Sequence, residues 1–177
     1  MEFTRVGDKL VSKEKLMRTI ERILALRSSG MSQQEVSQKI GVDRTFISRL
    51  EALAEVRKGG SVAIIGFPLE NKQELVQVAD EHAIDYTFLM NDEERWTFIR
   101  SLNGKELLDD LMGLITKLRD FDVVIMIGSD MRIRLAEALL GDKVIGVQLG
   151  QSPIQEDVYF DPHRLKDLIL SVKGKAQ

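Results

Sequence analysis

The chain has 177 residues with 44% hydrophobic and 30% charged positions, which leaves room for a small module beside a medium domain and excludes disordered or collagen-like classes. It contains no cysteine, which excludes a disulfide framework and thiolate metal sites and suits a reducing cytosol. The formal charge of −3 is unevenly spread: residues 1–60 hold 12 Lys and Arg against 8 Asp and Glu, and residues 61–177 hold 13 against 20, so a polyanionic partner suits the first part only.

The opening stretch, MEFTRVGDKL, lacks an apolar core of signal-peptide type. No uninterrupted apolar run approaches the roughly 20 residues that span a bilayer. A cytoplasmic chain without a membrane segment is the expectation. Apolar residues then recur at helical spacing: Leu16, Ile20, Ile23 and Leu24, then Val36 and Ile40, then Ile47, Leu50 and Leu53. This predicts a long helix from about Lys13 to Ser29 and two short ones joined by Gly41 and Val42.

The caps of the short pair are written in the chain. Ser32 followed by Glu35 is a capping box, and Met31 with Val36 is placed for a hydrophobic staple. Gly41 can take positive φ and end the first short helix. Asp43 is the expected N-cap of the second, with Val42 and Ile47 as its staple. Ser37 is small where the two helices cross. Val36, Ile40, Val42, Ile47 and Leu50 then face inward, and Arg44, Thr45, Ser48 and Arg49 face outward. The helical pattern continues through Ala52, Leu53, Ala54, Glu55 and Val56.

The stretch SQQEVSQKIGVDRTFISRLE, residues 32–51, resembles the helix-turn-helix of the Xre family of regulators, the Cro and repressor type. The resemblance is close over these residues and looser over 13–58. It implies a recognition helix beginning at residue 43, entering the major groove of double-stranded DNA by its N-terminal end. Arg44, Thr45, Ser48 and Arg49 would face base edges, and Gln33 would hold a phosphate beside the positive end of its helix. Either arginine suits a bidentate contact with guanine; Thr45 and Ser48 suit a base or a phosphate. For Arg49 the plainer reading is an ion pair with Asp43 or Glu55. Thr4 and Arg5 are read as a frayed terminus in preference to an arm along the DNA. One short recognition helix reads too few base pairs to select a genomic site, so a homodimer is expected, held through the acidic part of the chain.

After Lys58-Gly59-Gly60 the pattern changes. Compact apolar runs of strand length, SVAIIGF, DYTFLM, DVVIMIG and KVIGVQLG, alternate with helical patterns over 70–82, 92–119, 131–140 and 163–173. The expected architecture is an all-helical module at 1–58 and a three-layer, Rossmann-like α/β domain with a mostly parallel sheet at 61–177.

In such sheets ligands bind beyond the carboxyl ends of the strands. This singles out Gly66-Phe67-Pro68, Gly128-Ser129-Asp130 and Gly150-Gln151-Ser152. Gly66, Gly128, Ser129 and Arg132 would then form a pocket for a small anionic effector. The plainer reading, in which glycine ends strands anyway and Arg132 faces solvent, is preferred. Neither GxGxxG nor GxxxxGK[ST] nor GxSxG occurs, so no dinucleotide site, P-loop or nucleophile elbow is written here. A phosphoacceptor receiver needs an acidic pair where this chain has Gly66-Phe67-Pro68. His82 and His163 have no ligand-spaced partner. Trp96 and Phe98 read as core or interface, and the methionines as core filler. No catalytic residue, metal or cofactor is expected. The runner-up reading is an α/β enzyme or small-molecule-binding protein whose helical module is a docking element.

Overall fold

The computed structural model describes residues 3–53, 55 and 60–173. The chain divides into two units, Met1–Glu55 and Val56–Gln177. Lys58 and Gly59, two of the three residues at which the sequence changes character, lie outside the described residues.

The first unit opens with strands, which corrects the expectation of an all-helical module. β1 (Phe3–Val6) pairs antiparallel with β2 (Lys9–Ser12), setting Thr4 opposite Val11 and Arg5 opposite Leu10. Gly7, at φ 58°, supplies the left-handed first position of the two-residue loop, as a tight hairpin requires. The frayed terminus is thus a paired strand, built from residues such as Phe3, Thr4, Val6 and Val11 that favour a pleated surface.

Three helices follow. α1 (Lys13–Ser28) is capped by Ser12, whose hydroxyl accepts the Lys15 N–H at 3.3 Å. At α2 (Gln33–Ile40) the capping box closes both ways. Ser32 Oγ accepts the Glu35 N–H at 3.2 Å, and Glu35 Oε2 accepts the Ser32 N–H at 2.7 Å. Gly41 ends α2 at φ 78°, and Ser37 Oγ donates to the Val42 carbonyl at 2.7 Å across the turn. α3 (Arg44–Leu53) begins after Asp43, whose backbone carbonyl accepts from Phe46 and Ile47. The expected continuation to Val56 does not hold at Glu55, which is not helical; Ala54 and Val56 lie outside the described residues. Ile23, Val36 and Ile47 are fully buried, with Leu26, Met31, Ile40, Val42 and Leu50 packed round them. Leu16 and Leu24, on the periodic stripe of α1, stay exposed.

The second unit runs β3 (Val62–Gly66), α4 (Lys72–Glu81), β4 (Tyr86–Leu89), α5 (Asp92–Ser101), α6 (Gly104–Arg119), β5 (Val123–Ser129), α7 (Asp130–Leu140), β6 (Val144–Gly150) and α8 (Pro162–Lys173). Its four strands are parallel in the order β4-β3-β5-β6. Among the described residues the chain is therefore a mixed α/β protein with eight α-helices and one parallel sheet beside the hairpin.

Every residue of β3 and β5 is buried, because helices cover both faces. Crossovers between parallel strands are right-handed, so the step from β3 out to β4 and the steps back through β5 to β6 place their helices on opposite faces. The core follows this division. Leu75 and Ala79 of α4 join Leu165, Ile169 and Val172 of α8 against Ile64 and Ile125. On the other face, Leu118 of α6 and Ile133 of α7 pack on Ile65, Val124 and Met126.

The helical stretch expected over 92–119 is two helices. Asn103 accepts from the N–H groups of Lys105 and Glu106, both at 3.0 Å, and starts α6 afresh. The methionines are not all core filler either: Met17, Met112 and Met131 are exposed. Among the described residues no helix is long and apolar enough to cross a membrane.

Candidate nucleic-acid interface and pocket

α3 presents one continuous polar face. Ile47 is buried and Leu50 half-buried on its inner side, while Arg44, Thr45, Ser48 and Arg49 are all exposed. Among the described residues no ion pair joins Arg49 to Asp43 or Glu55, and none holds Arg44. Their guanidinium groups are thus open to an incoming acceptor. The face comes from spacing: positions 44, 45, 48 and 49 share one side of a helix of 3.6 residues per turn.

Gln33, the first residue of α2, is already engaged. Its Nε2 donates to Glu51 Oε2 at 2.7 Å, and Arg27 Nε donates to Glu51 Oε1 at 2.5 Å. Arg27 also donates to the Met31 carbonyl. One carboxylate therefore ties α1 and α2 to α3. A phosphate at Gln33 must use the second N–H of the amide, or compete with Glu51. Sequence reasoning placed Glu51 only as part of a pattern and missed Arg27, since an arginine on a mostly exposed helix carries no local sign of a distant partner.

The bond from Arg27, then that from Gln33, holds the Glu51 carboxyl below the ordinary glutamate range, although burial opposes this. A depressed folded-state pKa means that stabilisation is complete above the ordinary glutamate range and is lost as pH falls through and below it. Glu51→Gln is expected to abolish that component. Denaturant unfolding followed by circular dichroism should show the gap between wild type and variant narrowing as pH drops. A gap independent of pH would mean that the carboxylate's charge contributes nothing.

In the second unit a pocket of about 760 Å³ opens beyond the carboxyl ends of the strands, where the strand order reverses between β3 and β5. Its walls are mainly apolar, with Phe67, Phe88, Trp96, Leu114 and Ile154 among them. A second hollow of about 430 Å³ under α5 and α6 shares Phe88, Phe98, Ile99, Leu111 and Leu114 with it. Two guanidinium groups reach the larger pocket. Arg95 is only 9% exposed; it pairs with Asp92 and lies 5.1 Å from the Trp96 ring centre, and its Nε is buried without a hydrogen-bond partner. Arg132 lies over the Phe67 ring at 4.7 Å and donates to the Phe67 carbonyl at 3.3 Å. Burial, then the charge of Arg95, pushes the Arg132 pKa down, while Asp92 acts the other way.

The four residues expected to form an effector site separate. Arg132 lines the pocket and does not simply face solvent. Gly66 is buried in β3 against Leu69, Leu89 and Ile127. Gly128 is buried in β5 beside the Phe67 carbonyl and the Met126 and Arg132 side chains. Ser129 is fully buried at the N-cap of α7, but its hydroxyl makes no cap bond and has no partner. That helix end already holds an anion of its own. Asp130 accepts the Ser152 N–H at 2.8 Å and pairs with Arg134 at 2.8 Å; the bond from Ser152 leads in keeping its carboxyl below the usual range. Trp96, read as core or interface, is 44% exposed on the pocket wall. Nothing in the sequence marks Arg95, which there is one more basic residue three positions after an aspartate. Among the described residues no cluster of His, Asp or Glu suits a metal ion.

Compared with known proteins, the chain matches no family model, no curated protein and no solved structure. The functional reading rests on the residues themselves.

Proposed function

We propose that the chain is a sequence-specific DNA-binding regulator of transcription that reads an inverted-repeat operator as a homodimer, with α3 in the major groove. The observation that carries this reading is the α3 face. Two exposed arginines, without ion-pair partners among the described residues, flank Thr45 and Ser48 on one side of a helix. Behind it, a buried core and a short glycine turn hold α3 against α2. Arginine is the side chain best suited to bidentate contact with guanine, and the basic balance of residues 1–60 favours a polyanion. The resemblance of residues 32–51 to the Xre helix-turn-helix points the same way.

A second copy is needed to give the site enough length, and the second unit offers a surface for it. α6 exposes Leu108, Leu111 and Met112, and neighbouring α7 exposes Met131, Leu135 and Leu139. Exposed apolar stripes on adjacent helices mark an interaction surface. Regulation on this reading is by occupancy, and the chain is no enzyme.

The test is selection of the purified chain against a random duplex DNA pool. The expected result is an enriched inverted repeat whose half-sites lie about 34–36 Å apart, one helical turn. Retention should fall steeply with salt, since phosphate contacts release counterions. Folded protein that enriches no sequence at low salt would sink the proposal and leave α2 and α3 as a docking element.

A further inference from the structure

We infer that the pocket beyond the sheet binds a small monocarboxylate with an apolar body, its head group held by Arg95 and Arg132 and its tail lying in the aromatic hollow beneath α5 and α6. The inference stands on the second unit alone and does not depend on DNA binding.

Charge is the first ground. Two guanidinium groups, always protonated, share the pocket, and of the carboxylates around them Asp92 is the one that acts on both. Asp130 is occupied by Arg134 and the Ser152 N–H, and Asp157, which accepts the Asp92 N–H at 2.7 Å, is exposed and does not line the pocket. With Asp92 set against the two arginines that line the larger pocket, the balance there is one positive charge in excess, which a monoanion neutralises and a dianion overshoots. An unpaired charge held away from water is costly, so the pocket favours an occupant that supplies the missing negative charge.

Hydrogen bonding is the second ground. Arg95 Nε is buried with no hydrogen-bond partner among the described residues, although buried polar groups are nearly always paired, and the side chain must turn to bring it to an occupant. A guanidinium presents its N–H donors in a planar fork, and a carboxylate supplies two oxygens in a matching plane. Arg132 is steadied by the Phe67 ring and carbonyl.

The walls are the third ground. Apart from these arginines, the pocket is lined mainly by aromatic and aliphatic side chains, and it continues past Phe88 and Phe98 into the second hollow. A volume of about 760 Å³ falls within the range of small-molecule sites. Polar side chains on those walls are few: Ser152 and Gln155 in the larger pocket, and Tyr86, Asp110 and Lys117 in the second hollow. The occupant's body is therefore hydrocarbon or aryl.

The chain's single tryptophan, Trp96, lies on the pocket wall and gives a direct signal. Full-length protein is titrated with octanoate, below its micellar range, and with octanamide as the uncharged isostere, while Trp96 emission is followed. Octanoate should give a saturable change and bind roughly tenfold or more tightly than octanamide, since a charge-assisted bond outweighs a neutral one. Shortening the acid by one methylene should weaken binding about fourfold. Arg132→Gln, checked for folding by circular dichroism, should erase the preference for the acid. Equal binding of acid and amide would overturn the inference, as would no saturable change with any chain length. Unchanged octanoate affinity in folded Arg132→Gln would also overturn it. Displacement of octanoate by inorganic phosphate at equal concentration would overturn the apolar-body part, leaving a plain anion site.

Discussion

Arg49→Ala is expected to weaken binding to the selected operator by about 2–6 kcal/mol for the dimer, because each half-site loses about 1–3 kcal/mol when a bidentate arginine–guanine pair is removed. That corresponds to roughly thirtyfold to twenty-thousandfold in affinity. The full value is expected because Arg49 is exposed and, among the described residues, gives up no ion pair on binding DNA. Fluorescence anisotropy on the selected operator and on a scrambled duplex separates two effects. Binding to the scrambled duplex should fall much less, because there the arginine contributes only its charge. Sequence preference should relax at one position of each half-site. Gln33→Ala is the companion variant, and it should weaken binding to both duplexes to a similar degree. If Arg49→Ala left operator affinity and preference unchanged, α3 would not be the reading helix.

The two variants differ because the two residues sit in different surroundings. Arg49 projects from α3 with no ion pair to release among the described residues. Gln33 shares Glu51 with Arg27, so its removal also withdraws a hydrogen bond from the carboxylate that ties three helices together. Part of any Gln33→Ala effect will therefore appear as lower stability of the first unit in the absence of DNA. Arg49→Ala should leave that stability within about 0.5 kcal/mol of wild type, as exposed positions usually do.

Features set by neighbours in sequence are legible from the sequence alone. The Ser32–Glu35 box, the left-handed Gly41 and the burial of Val36 and Ile47 all follow from spacings of one helical turn or less. The parallel strands were legible for a similar reason: runs such as VAIIG and VVIMIG have no polar alternation and must be covered on both faces. The hairpin is also written, in strand-forming residues on either side of Gly7-Asp8, but a short terminal stretch with charged residues reads equally as fraying. The break at Asn103 is masked by apolar spacing that continues across it, and the mark of the new cap is Asn103 with Glu106 three residues on, a capping box.

The pocket was legible in position but not in chemistry. A rule about strand ends locates the loops, and Phe67, Arg132 and Ser152 from or beside those loops do line it. The glycines stand where loops form, whereas Gly66 serves packing. Arg95 was out of reach, because its burial depends on how α5 lies over the sheet. No local pattern distinguishes a buried arginine at three residues from an aspartate from a solvated one.

Gly66→Ala is expected to destabilise the chain by about 1–3 kcal/mol, the usual cost of forcing extra volume into a filled core. A Cβ built on the existing backbone would stand 2.8 Å from Leu69 Cδ1, 3.0 Å from Leu89 Cδ2 and 3.1 Å from Ile127 Cβ. The leucine methyls belong to flexible side chains, but both leucines are buried in the same core and have little room to turn. Ile127 Cβ cannot swing at all. It is one bond from the backbone of β5, which pairs with β3 opposite Gly66. Accommodation must therefore spread the two central strands or drive the leucines off their rotamers. Gly128→Ala is the control, because its nearest neighbour would lie at 3.5 Å, an ordinary contact, and it should stay within about 0.5 kcal/mol of wild type. Urea unfolding followed by circular dichroism measures both. The strain should also reach the pocket, because Phe67 follows Gly66 directly and bonds through its N–H to the Ile127 carbonyl at 3.1 Å, with Arg132 resting on its ring. Folded Gly66→Ala should accordingly bind octanoate more weakly, although residue 66 does not line the pocket. A variant as stable as wild type would mean that the strands part easily here, and Gly66 would return as a residue kept for the approach of a ligand.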